Sequence, residues 1–178
     1  MARDSIYSKL NYCIFVVMKH VTLCFLIKRD ENNKPAQICL AMTKRGFSQG
    51  KINGVGGKVE EGETTLQAVA RETLEEIGVE IVKANKVGEL TFKYLDLDKV
   101  LVAHIYFCET WNGEPVETEE MNPSWFNIED IPYDQMWVDD SHWLPDVLAG
   151  KLVSGEIVFT DQNTIAHKDI IFVDSFNE

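Results

Sequence analysis

Apolar positions alternate with polar ones along most of the chain, and only one long stretch switches to helical spacing. Residues 20–28 and 37–43 read as two strands, because the polar run between them, with Asn32 and Asn33, supplies turn chemistry. Further on, Leu90, Phe92 and Tyr94 alternate within 86–96, and Val102, His104 and Tyr106 within 100–110, which predicts a long hairpin. A closing hairpin is expected over 152–160 and 164–173, with Asp161, Gln162 and Asn163 in its turn. The exception is 64–77, where Leu66, Val69, Ala70, Thr73, Leu74 and Ile77 recur three and four apart. That spacing predicts a helix with these six residues inward and Gly78 as its stop. A second helix is expected over 142–148, ended by Gly150, and a short strand over 125–127 after a turn at Pro123.

Length adds that these elements belong to one domain, since 178 residues at 45% hydrophobic content suffice for a single core. The net charge of −12 argues against a polynucleotide partner, whose phosphates need a basic stripe, and leaves a small anionic substrate open. Cys13, Cys24, Cys39 and Cys108 form no CxxC pair, and His20, His104, His142 and His167 show no zinc spacing. Reduced thiols, no zinc site and a cytoplasmic protein are therefore expected. Residues 10–27 are apolar but split by Lys19 and His20 into runs too short for a bilayer. The domain pattern starts near residue 18, so residues 1–17 read as an extension, with Met18 an alternative start.

Candidate chemistry lies around the helix. Residues 44–58, KRGFSQGKINGVGGK, hold five glycines and four basic residues and no acid. Such a loop can bring backbone amides and Lys44, Arg45, Lys51 and Lys58 to a phosphate, although it also reads as plain solvated loop. On the helix, Glu72, Glu75 and Glu76 stand three and four apart near Arg71, which puts the carboxylates on one face. A solvated face explains that too, unless a cation sits on it. In 136–143, MWVDDSHW, adjacent acids stand between Trp137 and Trp143. Indole walls suit a stacked base, and two close carboxyls in a dry pocket share a proton. Alternatively, Asp140 or Ser141 caps the second helix.

The segment 57–79 carries Gly57, Glu63, Arg71, Glu72, Thr73, Leu74, Glu75, Glu76, Ile77, Gly78 and Val79 at the spacing of the Nudix box, with Thr73 alone departing, at an apolar slot. On these residues the chain resembles the Nudix hydrolases. The resemblance implies an α/β fold, an α/β/α sandwich with a mixed sheet and a loop–helix–loop box. It also implies Mg²⁺ or Mn²⁺ on Glu72, Glu75 and Glu76, with the Gly56 carbonyl joining them and Arg71 orienting Glu75 or Glu63. Which carboxylate acts as base is open. Glu120 is a further ligand or base candidate, or an exposed loop acid.

Within the family, KRGF at 44–47, NG-GGKV-EGET at 53–64, EEM-P-WF at 119–126 and MW-DDS-W at 136–143 are similar to the MutT-homologue group, which acts on oxidised purine nucleoside triphosphates. That similarity implies a base pocket of Thr22, Phe47, Asn53, Trp137, Asp139 and Asp140, and metal on Gly56, Glu72, Glu76 and Glu120. Thr43, Ile52 and Val102 depart from the group at positions expected to shape the pocket. The expected protein is a monomeric hydrolase of small nucleotides. Turnover of ADP-ribose or a nucleotide sugar, or sensing without cleavage, are the competing readings.

Overall fold

The computed structural model describes residues 18–176; the expectations for residues 1–17, Cys13 among them, lie outside these. Eight strands form one mixed sheet in the order β3-β2-β1-β5-β4-β7-β8, with β6 paired to β2. The strands are β1 (Met18–Arg29), β2 (Pro35–Thr43), β3 (Ile52–Asn53), β4 (Glu80–Tyr94), β5 (Lys99–Asn112), β6 (Met121–Asn127), β7 (Leu152–Asp161) and β8 (Thr164–Val173). β1 runs parallel to β5 and β4 parallel to β7, and the remaining pairs are antiparallel. Helix α1 (Thr65–Ile77) covers one face, packing on Cys24, Leu26, Val55 and Tyr106. The short α2 (Leu144–Leu148) and the turns before it cover the other face over Phe25, Ile27, Leu90 and Ile105. The expected α/β/α sandwich is the fold observed.

Each hairpin appears where the alternation placed it, with the long one extended at both ends. Pro123 is no turn. It lies inside β6 opposite Ala41, and because β6 pairs with β2 alone its missing N–H costs no ladder bond.

Helix α1 is rolled relative to the amphipathic reading. Leu66 and Leu74 are 46% and 53% exposed, while Ala68, Val69, Thr73, Glu76 and Ile77 are buried. The roll brings the Glu72–Glu76 side against the Gly56–Gly57 backbone at the sheet edge. Thr73 fills its slot because its hydroxyl donates back to the Val69 carbonyl at 2.7 Å, leaving only the methyl to pack. A capping box of Thr64 and Gln67 starts the helix, and Gly78 ends it in the left-handed region.

The second helix starts two residues later than expected. Neither Asp140 nor Ser141 caps it: Asp140 turns back to accept the Trp137 N–H at 3.0 Å, and residues 140–142 form a separate 3₁₀ turn. Trp143 is fully buried in the core rather than a pocket wall.

Candidate functional site

Two neighbouring places hold the predicted residues, joined by the segment Val55–Lys58. This segment bridges β1 through Cys24 and Val21, so it acts as an added strand at the sheet edge. On the α1 side of that edge lies the glutamate face. A Cβ on Gly57 would collide with the Glu72 carboxylate, and one on Gly56, whose φ is +156°, with the Thr22 carbonyl. Glycine is therefore what lets the backbone pass between β1 and the helix.

Arg71 organises the carboxylates. Its guanidinium donates to both oxygens of Glu63 at 2.9 and 3.0 Å, to Glu72 at 2.8 Å, to Glu75 at 3.4 Å and to the Lys58 carbonyl at 3.0 Å. The bond from Arg71 holds Glu63 below the usual carboxylate range. Sequence reading assigned Arg71 to Glu75 or Glu63; Glu63 is the fork's main partner, and Glu72 comes second. Glu72 is raised, first by burial, with Arg71 opposing. Glu76 accepts the Gly56 N–H at 3.0 Å. Burial, and then the charges of Glu72, Glu120 and Glu75, push it up to about 7. Glu120 reaches toward the same cluster while ion-paired with Arg45.

These hard oxygen donors, with Glu76 buried and lacking a cationic partner, suit a divalent cation such as Mg²⁺. In their present rotamers, no three His, Cys, Asp or Glu side chains among the described residues converge at ligating distance. Glu72 and Glu120 would have to turn from their arginines.

Across the edge is a cavity of about 200 Å³ lined by Thr22, Phe47, Asn53, Gly56, Lys58, Trp137, Asp139 and Asp140 among others. All six pocket residues expected from the resemblance thus meet in one place. Phe47 stacks on Trp137 with centroids 5.4 Å apart at 24° and meets Tyr94 edge-on. Asn53 accepts the Gly54 N–H through its carbonyl at 2.8 Å, which leaves its NH₂ as the group free for a ligand. Asp139 accepts Trp143 Nε1–H at 3.0 Å, so the second tryptophan serves as a prop for the acid. Burial pushes Asp139 up to about 6, and burial together with the Asp139 charge raises Asp140 well above the usual carboxylate range.

Val21, Leu23, Phe92, Tyr94, Leu101, Ala103 and Met121 also line the cavity; of these the sequence reading singled out only Phe92 and Tyr94, as alternating strand positions. Thr43 lines it as expected. Val102 does not, because it is in register with His20 on the opposite face from Leu101 and Ala103. Of the basic loop residues only Lys58 lines the cavity. Lys44 bonds Glu117 and the Thr118 carbonyl, Arg45 pairs with Glu120, and Lys51 reaches the Met136 carbonyl.

A glutamate-bearing loop–helix stands beside a cavity that ends in two buried carboxyls, an arrangement that suits a hydrolase. The chain belongs to the Nudix family, whose NUDIX domain description matches residues 18–147. It is 41% identical over 143 residues to an oxidized purine nucleoside triphosphate hydrolase of Mus musculus, covering 80% of this chain and 92% of that one. A Danio rerio protein of the same description is 42% identical over 136 residues, with 76% and 87% covered. An 8-oxo-dGTP diphosphatase of Escherichia coli is 30% identical over 114 residues, with 62% and 83% covered. Among solved structures, a MutT protein of Bacillus halodurans superposes with a TM-score of 0.71 at 21% identity, covering 85% of this chain and 97% of that one, and so shares the fold.

Proposed function

We propose that the chain hydrolyses oxidised purine nucleoside triphosphates of the 8-oxo-dGTP type to the monophosphate and pyrophosphate, and so sanitises the nucleotide pool. The observation that carries this is the meeting of Asn53, Trp137, Asp139 and Asp140 in one cavity directly across the Gly56–Gly57 edge from Glu72 and Glu76. The two mammalian and fish relatives named above support the same substrate class.

Glu72, Glu75, Glu76 and Glu120 with the Gly56 carbonyl would hold Mg²⁺ or Mn²⁺. Such an ion, when bound, neutralises phosphate charge and acidifies the attacking water. Arg71 keeps Glu72 and Glu75 in place through its fork on Glu63. In the cavity the two aspartates hold one proton between them. One carboxyl of the pair, protonated, donates to O6 of the base, while the other, ionised, accepts from N1–H and the exocyclic amine. The Asn53 NH₂ donates in the base plane, and Trp137 offers an apolar wall. A lost partner leaves a buried polar group unpaired, which is how such a site rejects the wrong base edge.

The net charge of −12 supports a small nucleotide over a polynucleotide partner, and a monomer is the assembly we assign. Three buried free cysteines, Cys24, Cys39 and Cys108, support a reducing, cytoplasmic setting. No helix among the described residues is long and apolar enough to cross a membrane.

The test is turnover with Mg²⁺ across 8-oxo-dGTP, dGTP, ADP-ribose and a nucleotide sugar. Preference for the oxidised triphosphate, abolished in Glu76→Gln with the fold intact, is the expected result. Equal or better turnover of ADP-ribose or the sugar nucleotide sinks the substrate assignment. No release from the parent protein would instead make it a sensor.

A further inference from the structure

Lys51 is the one basic residue of the 44–58 loop with neither a carboxylate within 4.0 Å among the described residues nor a place on the base-cavity wall. Its backbone is fixed at the root of that loop, because its N–H donates to the Ser48 carbonyl and its carbonyl accepts the Thr43 N–H, both at 2.9 Å. From this root the side chain crosses to two other elements. Its Nζ donates to the Met136 carbonyl and to Asn163 Oδ1 in the β7–β8 turn, each at 3.3 Å, and stands 5.7 Å from the Trp137 ring centroid.

The Met136 carbonyl and the Trp137 N–H belong to one peptide unit, and that N–H donates to Asp140 Oδ2 at 3.0 Å. A cation on a peptide oxygen polarises the unit and makes its N–H a stronger donor. Lys51 therefore acts on Asp140 through the peptide between them as well as through space. The acid pair sits where such help counts, since Asp139 and Asp140 are 3% and 2% exposed and burial favours the neutral form of each. Tyr94 from β4, Tyr133 from the turn before the pair and Trp143 Nε1–H also face the two acids, and both phenols are held neutral, first by burial. Lys58 shares the cavity wall, yet the cation whose charge tells on Asp140 is Lys51. A pair that must present one donor and one acceptor fails if it gains a second proton or loses its last. Burial pushes toward the first failure, and Lys51 opposes it.

We propose that Lys51 is a positioning residue that holds the acid pair of the base cavity at a single negative charge near neutral pH, and so determines which base edge the cavity accepts. That the ligand is a base edge rests on the oxidised-purine reading; the effect of Lys51 on the pair stands without it.

Lys51→Met and Lys51→Arg test it through two readouts that need neither metal nor turnover. The first is carboxyl ¹³C titration of the free protein, with Asp139→Asn and Asp140→Asn to identify the signals. The second is Kd for the oxidised purine monophosphate across pH in the presence of a chelator. Removing the cation favours the protonated forms, so in Lys51→Met both titration steps of the pair should move up by about 0.5 to 1 pH unit, the order expected of one charge beyond contact distance. The Kd profile should be displaced equally toward higher pH, with its best value within about twofold of the parent's, and Lys51→Arg should restore the parent curves. Titration steps that stay put in Lys51→Met overturn the proposal. Kd weakened equally at every pH also overturns it, because Lys51 would then only brace Trp137. So does a Lys51→Arg curve that follows Lys51→Met, because the charge would not be what acts. Displaced titration steps beside no preference for the oxidised base uphold the effect of Lys51 on the pair and sink the oxidised-purine reading instead.

Discussion

Asp140 is buried, accepts the Trp137 N–H and has a carboxyl raised well above the usual range. An acid whose folded pKa is raised contributes stability that is full below its unfolded value, near 4, and is lost as pH climbs through the folded one. For its neighbour Asp139 that loss spans roughly pH 4 to about 6. Asp140→Asn keeps the acceptor and removes the charge. The variant should match the parent at pH 4 and melt higher at pH 7.5, while its recognition of an oxidised purine falls because the proton pattern is fixed. Thermal melts at several pH values, beside KM, check both halves. Gly56 and Gly57 make a second contrast. In Gly57→Ala the new methyl meets the movable carboxylate of Glu72, so activity should drop by about a hundredfold with a small change in Tm. In Gly56→Ala it meets the Thr22 carbonyl, so the fold itself should weaken.

At the scale of elements, α1 is held by its capping box as well as by its buried stripe. Thr64→Ala should cost about 1 kcal/mol in denaturant unfolding and leave KM for nucleotide unchanged. This helix also shows where the sequence was legible. Its limits and the cluster of Glu72, Glu75 and Glu76 near Arg71 follow from spacing alone. Its rotation does not, because Leu66 and Leu74 satisfy the same periodicity as Val69 and Ile77, and only the approach of Glu72 to Gly57 decides which side turns in. The cavity was legible in its acidic members for a similar reason. Asp139 and Asp140 stand out as adjacent acids between tryptophans and Asn53 came from the family resemblance alone, whereas Leu23, Phe92, Leu101 and Ala103 look the same whether side chains or a ligand cover them. Trp143 was misplaced because an indole beside two acids reads as a wall, while its N–H is spent on Asp139.

For the whole molecule, the glutamate face is an expense of folding that a ligand can relieve. Glu76 is buried with like charges around it, so Glu76→Gln should raise Tm in the presence of a chelator. Added Mg²⁺ should raise the parent's Tm and have little effect on the variant, by mass action on the folded state. The cavity behaves differently. A base slotted between Phe47 and Trp137 needs their planes about 7 Å apart, two van der Waals contacts, but their ring centroids are 5.4 Å apart. At rest the two rings fill that gap themselves, with Lys99 seated on Phe47, so a base held in this way would require Phe47 to move. Nucleotide affinity should then be diminished by the fraction of molecules in which the rings stay stacked, and capture should wait on Phe47 leaving Trp137. Stopped-flow indole fluorescence should show a saturating observed rate as nucleotide is raised, and in Phe47→Ala that ceiling should disappear even though the bound base has lost one of its two neighbours.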